Sequence, residues 1–341
     1  MAKTAFVGLS GGVDSAVSAA LLKERGYNVI GAFIKIWSPE FLECTWKEDR
    51  IDAMRACAAL EIPFREVDLS DEYKNEVVGD MLENYSKGLT PNPDVVCNRS
   101  IKFGHFARFA FENGADAIAT GHYARVIDRG GSFELLRGTD PNKDQSYFLY
   151  RLGQGDLSKI FFPVGEYTKP QVRELASKFG LPNARRPDSQ GLCFVGDVTM
   201  KDFLSRFISL NEGDVIDGSG DVVGTHDGAM LYTIGERHGF KVLGPEAQYV
   251  VAIDVQTNVV RVSARREDAT RTTSGVSDMH WTGEVPALPI SLEVQTRYRE
   301  KPFRATVGAD GVTFDEPHIA APGQSLVFYQ GERCLGGGVI R

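Results

Sequence analysis

A short apolar run, TAFVGL at residues 4–9, meets Ser10-Gly11-Gly12-Val13-Asp14-Ser15, and helical apolar spacing follows at once through Val17, Ala20, Leu21 and Leu22. Strand, glycine turn and helix in that order open a βα unit, and this commits the chain to a fold more firmly than any other stretch. Glycines let the backbone turn tightly and bring its N–H groups close to a ligand. A helix N-terminus behind them adds unpaired donors and partial positive charge, and Ser10 and Ser15 add hydroxyls. The result is a cradle for phosphate or pyrophosphate, with a plain strand–helix turn capped by Ser and Asp as the bland alternative. No Lys sits in the turn, so it is not the GxxxxGK(S/T) loop of γ-phosphate transfer.

The same alternation continues over the first two-thirds of the chain. Strand patterns cover residues 28–36, 63–67 and 115–120, and helical ones cover 49–60, 71–88 and 101–113, the last closed by Gly114. This predicts an α/β domain with a doubly wound parallel sheet covered by helices on both faces. From about residue 213 helices give way to short strands with Gly, Asp and Asn turns, at 249–254, 259–264, 291–299 and 325–329. The expected division is residues 1–205, 206–270 and 271–341, the last two being small β-rich modules.

Composition narrows the function classes. The 341 residues carry 38 Lys plus Arg against 46 Asp plus Glu, a net charge of −8, which at first sight opposes a nucleic-acid partner. The charge is not evenly spread, however. Residues 297–304 (RYREKPFR) hold four basic side chains and one acid, and residues 97–108 hold Arg99, Lys102 and Arg108 with no acid. A confined nucleic-acid footprint remains compatible with the acidic total. No stretch approaches the ~20 apolar residues of a membrane span, and MAKTAFVGLS reads as a strand and turn, not a signal peptide. The five cysteines are odd in number and scattered, with no two-residue zinc spacing, so a reducing cytoplasm is the expected compartment.

Two cysteines stand in segments suited to chemistry. In PNPDVVCNRSIKF (91–103), two prolines fix extended backbone, a helix is predicted to begin near Asn98, and Cys97 sits beside that N-terminus with Arg99 and Lys102 nearby. Both features favour thiolate, the nucleophilic form. Asp94, three residues earlier, is placed to exchange a proton. The alternative is a buried Cys beside a capping Asn98. Cys193, in DSQGLCF (188–194), reads equally as a loop thiol or as a structural Cys on a strand at 192–195. Cys57 and Cys334 read as core, and Cys44 has no visible chemical partner. His105, His226, His280 and His318 read as structural or surface groups. His122, after a glycine at a strand end, points at the site of such a fold.

The SGGVDS turn resembles the pyrophosphate-loop ATPases, which cleave ATP between its α and β phosphates and place AMP on a substrate oxygen. The turn alone does not choose among them. PNPDVVCNRSIKF, TGHYAR (120–125), NKDQSYFLY (142–150), FPVGEYTKPQVR (162–173), DSQGLCF, YTIGERHG (232–239), Arg297-Tyr298-Arg299 and the terminal PGQSLVFYQGERCLGGG together resemble one family, in order and over essentially the whole chain. It is the bacterial tRNA-specific 2-thiouridylases.

The resemblance implies that the last module is a β-barrel. It also implies an ATP site at Gly8, Leu9, Ser10, Gly11, Gly12, Val13, Asp14 and Ser15, with Ile34 and Gly121 in the nucleotide pocket and Mg²⁺ accompanying ATP. Cys193 would receive sulfur as a persulfide from a sulfur-relay protein or cysteine desulfurase. Cys97 would be its partner nucleophile and Asp94 the acid/base. Asn92, Pro93 and Asp94 would approach the target base, and His122, Lys143, Asp144, Gln145, Arg297, Tyr298 and Gln324 would contact tRNA. A monomer away from membranes is implied. Ile34 stands where Met is common and Glu236 where Gln is common. Three other readings are weighed against this one: a GMP- or NAD-synthetase-like ligase, a non-catalytic RNA-binding protein, and an iron–sulfur cluster on Asp94, Cys97 and Cys193, the last disfavoured because only two thiols are well placed. Neither ligase nor binder needs two separated thiols together with the ATP loop.

Overall fold

The computed structural model describes residues 2–41, 46–187, 198–242 and 246–341. Five parallel strands, β1 (Thr4–Leu9), β2 (Asn28–Lys35), β3 (Phe64–Asp68), β4 (Ala117–Ala119) and β7 (Ile160–Phe161), lie in the order β3-β2-β1-β4-β7. Their central members are apolar on both faces because helices cover both sides. Helices Val13–Glu24, Trp46–Ala59 and Lys169–Lys178 bury Val17, Leu21, Ala56, Cys57 and Val172 on one face. On the other, two long helices spanning 70–86 and 93–112 bury Tyr73, Val77, Met81, Ile101 and Phe106. Strand order reverses between β1 and β4, and the crevice beyond the strand C-termini at such a reversal is where open α/β sheets take ligands.

The strand patterns at 4–9 and 249–254 coincide with observed strands, while the helix read at 101–113 is longer than expected. It begins at Pro93, runs Pro93–Val96, widens to π-type spacing over Cys97–Phe106 and ends in Ala107–Glu112. The proline restricts only the residue before it: Asn92 is extended, at φ −117° and ψ 87°. Pro93 itself suits the first helical turn, where a missing N–H costs nothing. Cys97 therefore lies one turn inside the helix, and Asn98 is an interior residue whose Nδ2 donates to the Phe148 carbonyl at 3.2 Å, not a cap.

Between β4 and β7 a hairpin, β5 (Ala124–Asp128) and β6 (Phe133–Arg137), leaves the parallel sheet. The central β-rich module contains β8 (Gly213–Ile216), β9 (Val222–His226), β10 (Lys241–Val242), β11 (Tyr249–Asp254) and β12 (Val259–Ser263), in the order β10-β9-β8-β12-β11 around Val215, Val250, Val260 and Val262. The C-terminal strands are β13 (Arg271–Trp281), β14 (Ile290–Gln295), β15 (Phe303–Val307), β16 (Gly311–His318), β17 (Ser325–Gln330) and β18 (Arg333–Ile340). They run β13-β16-β15-β14-β17-β18, and β13 pairs with β18 to close a six-stranded antiparallel barrel filled by Val294, Val307, Phe314, Leu326 and Phe328. The β5–β6 hairpin adds to this barrel, with Cys334 of β18 opposite Leu135 of β6, so the α/β part and the barrel share hydrogen-bonded sheet. Cys57 and Cys334 are buried, as their patterns predict.

Candidate active site

The turn after β1 is built as a cradle. Gly11 has φ +77°, and a Cβ there would stand 2.5 Å from the Asp49 carbonyl oxygen, so only glycine fits. Ser10 and Ser15 cross-brace the turn: the Ser10 amide donates to Ser15 Oγ at 3.2 Å, the Gly12 amide to Ser10 Oγ at 3.3 Å, and Ser15 Oγ to the Gly12 carbonyl at 3.1 Å. Gly12 supplies no side-chain cap, so the first helical amides stay open to a ligand. From the other lip, Gly121 after β4 approaches so closely that a Cβ would lie 2.7 Å from the Ser15 nitrogen. Gly8 and Ile34 complete this end, with Ile34 Cδ1 3.7 Å from where a Gly8 Cβ would be. Loop, Ile34 and Gly121 are thus brought to one place.

Four side chains that the sequence did not single out frame the cradle. Lys169 Nζ donates to both Asp14 carboxylate oxygens, at 2.7 and 2.9 Å, and Tyr123 Oη donates to Asp14 Oδ1 at 2.8 Å. Asn183 Nδ2 donates to the Gly11 carbonyl at 2.8 Å. Arg186 pairs with Asp49 and, at 2.7 Å, with Asp52. Burial raises the Asp49 carboxyl above the ordinary carboxylate range against the pull of Arg186. The only local signal for Lys169 is the Thr168-Lys169-Pro170-Gln171 helix start; nothing nearby announces a partner 155 residues away.

A second cluster adjoins the start of helix 93–112. Asp94 and Cys97 are three residues apart on it, both partly buried. Burial raises the Asp94 carboxyl, and the Lys102 ammonium opposes that rise. His122 is buried between Phe103 and Phe162. Its Nδ1 lies 2.7 Å from Thr120 Oγ1 and its Nε2 3.5 Å from Lys102 Nζ. A lysine ammonium only donates, so Nε2 accepts and the ring proton belongs on Nδ1. Burial first, then Lys102, holds His122 well below the ordinary histidine range, and the ring is neutral at pH 7.

Three parts of the molecule meet just before Asp94. Thr90 donates its amide to the Pro322 carbonyl at 2.8 Å, receives Gln324 Nε2 on its carbonyl at 3.0 Å, and pairs Oγ1 with Thr233 Oγ1 at 3.0 Å. The Tyr147 hydroxyl, with Asn92 beside it, donates to the Thr296 and Ser325 carbonyls at 3.1 and 2.9 Å. Barrel and central module therefore fix the entry to Asn92, Pro93 and Asp94. Lys143, Asp144 and Gln145 follow β6. The Asp144 carboxylate is consumed by Arg137, the Gly138 amide and the Ser146 amide and hydroxyl, while Gln145 Oε1 accepts the Tyr123 amide at 3.0 Å. Tyr298 packs on Phe148, with ring centroids 4.5 Å apart, and Arg297 beside it is exposed. Cys193, the whole 188–194 segment with its alternative strand at 192–195, and Cys44 lie outside the described residues.

Three family models match successive stretches of the chain. Residues 3–197 match the tRNA methyl transferase HUP domain, 201–264 the tRNA methyl transferase PRC-barrel domain and 271–340 the aminomethyltransferase beta-barrel domain. A tRNA-specific 2-thiouridylase, MnmA 2, of Geobacillus kaustophilus is 46% identical over 98% of this chain and 93% of its own. This chain belongs to the tRNA-specific 2-thiouridylase MnmA family. The Salmonella arizonae MnmA is 45% identical over 99% of this chain and 96% of its own. Among solved structures, the U34-tRNA thiolase NcsA of Methanococcus maripaludis overlaps 60% of this chain and 63% of its own at 21% identity and a TM-score of 0.37. Among the described residues no helix is long and apolar enough to cross a membrane.

Proposed function

We propose that this chain thiolates the wobble uridine, U34, of Lys, Glu and Gln tRNAs at C2, using ATP and giving 2-thiouridine, AMP and pyrophosphate. Full-length kinship with the 2-thiouridylases carries this reading. An ATP-type cradle in the same α/β domain as a half-buried Asp94 and Cys97 at a helix start supports it. In this reading residues 1–205 do the chemistry, 206–270 brace it, and 271–341 hold tRNA, with one chain as the working unit. Sulfur arrives from a relay protein or a cysteine desulfurase.

The uridine C2 oxygen is a poor leaving group. Its attack on the ATP α-phosphate expels pyrophosphate and turns it into a good one. Open amides at the start of helix Val13–Glu24 stabilise charge on the phosphates. Mg²⁺ would arrive with the nucleotide as counter-ion to those phosphates. Mg²⁺ of this kind is held through one or two carboxylates and the substrate phosphates. Asp94, raised by burial, exchanges the proton at the base. The terminal sulfur of a Cys193 persulfide attacks C2 and expels AMP. Cys97 thiolate then attacks the Cys193 sulfur, the old S–S pair departs on the base sulfur as 2-thiouridine, and a Cys97–Cys193 disulfide remains for an external dithiol to reduce. In a variant, Cys97 first releases hydrosulfide from the persulfide, and that attacks C2.

The test is mass spectrometry of tRNA nucleosides after incubation with ATP, a sulfur donor and the protein. 2-Thiouridine is expected, lost in both Cys97→Ser and Cys193→Ser while ATP binding persists. Full activity in Cys193→Ser would sink the two-cysteine scheme. Pyrophosphate release without tRNA but with a small acceptor would indicate a ligase instead.

A further inference from the structure

We infer that a small cavity at the seam of central module and barrel binds one backbone phosphate of the RNA, through Arg266 and Arg297. This rests on the tRNA reading above and extends its footprint to a site away from the reacting base. The cavity measures about 80 Å³ and is lined by Arg266, Thr270, Arg297, Glu300, His318 and their neighbours. A hollow of that size takes a small tetrahedral anion. Arg266 opens the short turn Arg266–Ala269 that links β12 to β13, and Arg297 comes from the loop between β14 and β15. An arginine of the β12–β13 link and one of the β14–β15 loop thus line one hollow.

Both guanidinium groups are available. Among the described residues neither has a carboxylate within 4 Å, and Arg297 spends a single Nη2 contact on the Ile234 carbonyl at 3.3 Å. The one acid in the wall, Glu300, is already satisfied. Its Oε2 accepts the Thr296 amide and hydroxyl, both at 2.9 Å, and the Arg297 amide at 3.2 Å, while Oε1 lies 2.9 Å from His318 Nε2. Burial works to raise this carboxyl, yet those donors outweigh it and hold it below the ordinary range. Two guanidinium groups without a carboxylate partner among the described residues, against one fully hydrogen-bonded carboxylate, leave a site that attracts an anion, and forked guanidinium groups match phosphate oxygens well. Arg299, Lys301 and Arg304 follow Arg297 in the sequence and are exposed, a basic segment that a strand of RNA would need and a lone phosphate would not.

The experiment is tRNA binding to the full chain as a function of salt, for wild type, Arg266→Gln and Arg265→Gln. Arg265 is the control: it is exposed and faces Asp268 at 3.7 Å. Losing one phosphate contact should flatten the log Kd against log salt slope by about 0.7–0.9 and weaken binding about three- to tenfold for any tRNA. The expected result is that change in Arg266→Gln alone. An unchanged slope in Arg266→Gln, or equal changes in both variants, overturns the assignment while leaving the thiolation reading intact. Failure of wild type to bind tRNA removes the thiolation reading first. Titration with inorganic phosphate, followed at the Thr270 amide, covers the other source of the same chemistry. Tight saturation there with no change in tRNA slope makes this a free-anion site and also overturns the proposal.

Discussion

At the scale of single residues, the site runs on opposed influences on one carboxyl. Asp94 is raised by burial and pulled back by Lys102. Methionine at 102 removes the opposing cation and leaves burial, so the Asp94 carboxyl rises further. Single-turnover thiolation in Lys102→Met should therefore show its acidic limb displaced to higher pH, while Lys102→Arg stays near wild type. A limb that does not move would take Asp94 out of the rate equation. The same shift has a stability consequence. A folded-state value above the unfolded one favours the protonated form, so its contribution is full below the unfolded pKa and is lost as pH rises through the folded one. Asp94→Asn, which cannot ionise, should melt higher than wild type at pH 8 and no higher at pH 3, while thiolation disappears. Gly11 supplies the contrasting case, in which geometry alone decides. Alanine there meets both a positive φ and the Asp49 carbonyl, a strain of about 1–3 kcal/mol. ATP binding measured by calorimetry should weaken at least about tenfold.

At the scale of elements, local chemistry predicted most of what local chemistry controls. Residues 4–9 and the turn behind them were readable because apolar alternation, glycine and helix start fall within one short window. Helix 93–112 was misplaced at its start because two rules compete at Pro93: the residue before a proline is driven out of the helix, but the proline itself is welcome in the first turn. The shared sheet of β18 and β6 was not readable at all, since Cys334 and Leu135 are joined by a pairing that spans half the chain and leaves no local trace. Lys169 on Asp14 and Arg186 on Asp49 went unseen for the same reason. The short helix Ser146–Leu149 shows what such long-range contacts hold. Its Tyr147 hydroxyl is buried against two barrel carbonyls. Phenylalanine at 147 strips the donor and leaves both acceptors short, costing about 1–3 kcal/mol. Thermal melting should fall by several degrees, with a larger loss of thiolation than of ATP binding.

At the scale of the whole molecule, the barrel does more than offer a surface. The net charge is acidic, but basic residues cluster in the barrel segment 297–304 and along helix 93–112, so location and not the total governs what nucleic acid meets. The barrel also reaches back into the catalytic part: Pro322 and Gln324 grip Thr90 by both backbone groups, and Thr233 of the central module meets its hydroxyl. Gln324, expected from the family resemblance to touch tRNA, has its side-chain amide committed to that grip. A strut and a direct RNA contact differ in what they change. If Gln324 holds the Asn92–Asp94 entry in place, Gln324→Ala should leave tRNA affinity within about twofold and lower the thiolation rate at saturating tRNA and ATP about tenfold, equivalent to ~1.4 kcal/mol of lost positioning. If it contacts RNA directly, affinity falls and the saturated rate does not. Filter binding and single-turnover kinetics on the same variant separate the two, and a tenfold loss of affinity at an unchanged rate would return Gln324 to the RNA surface.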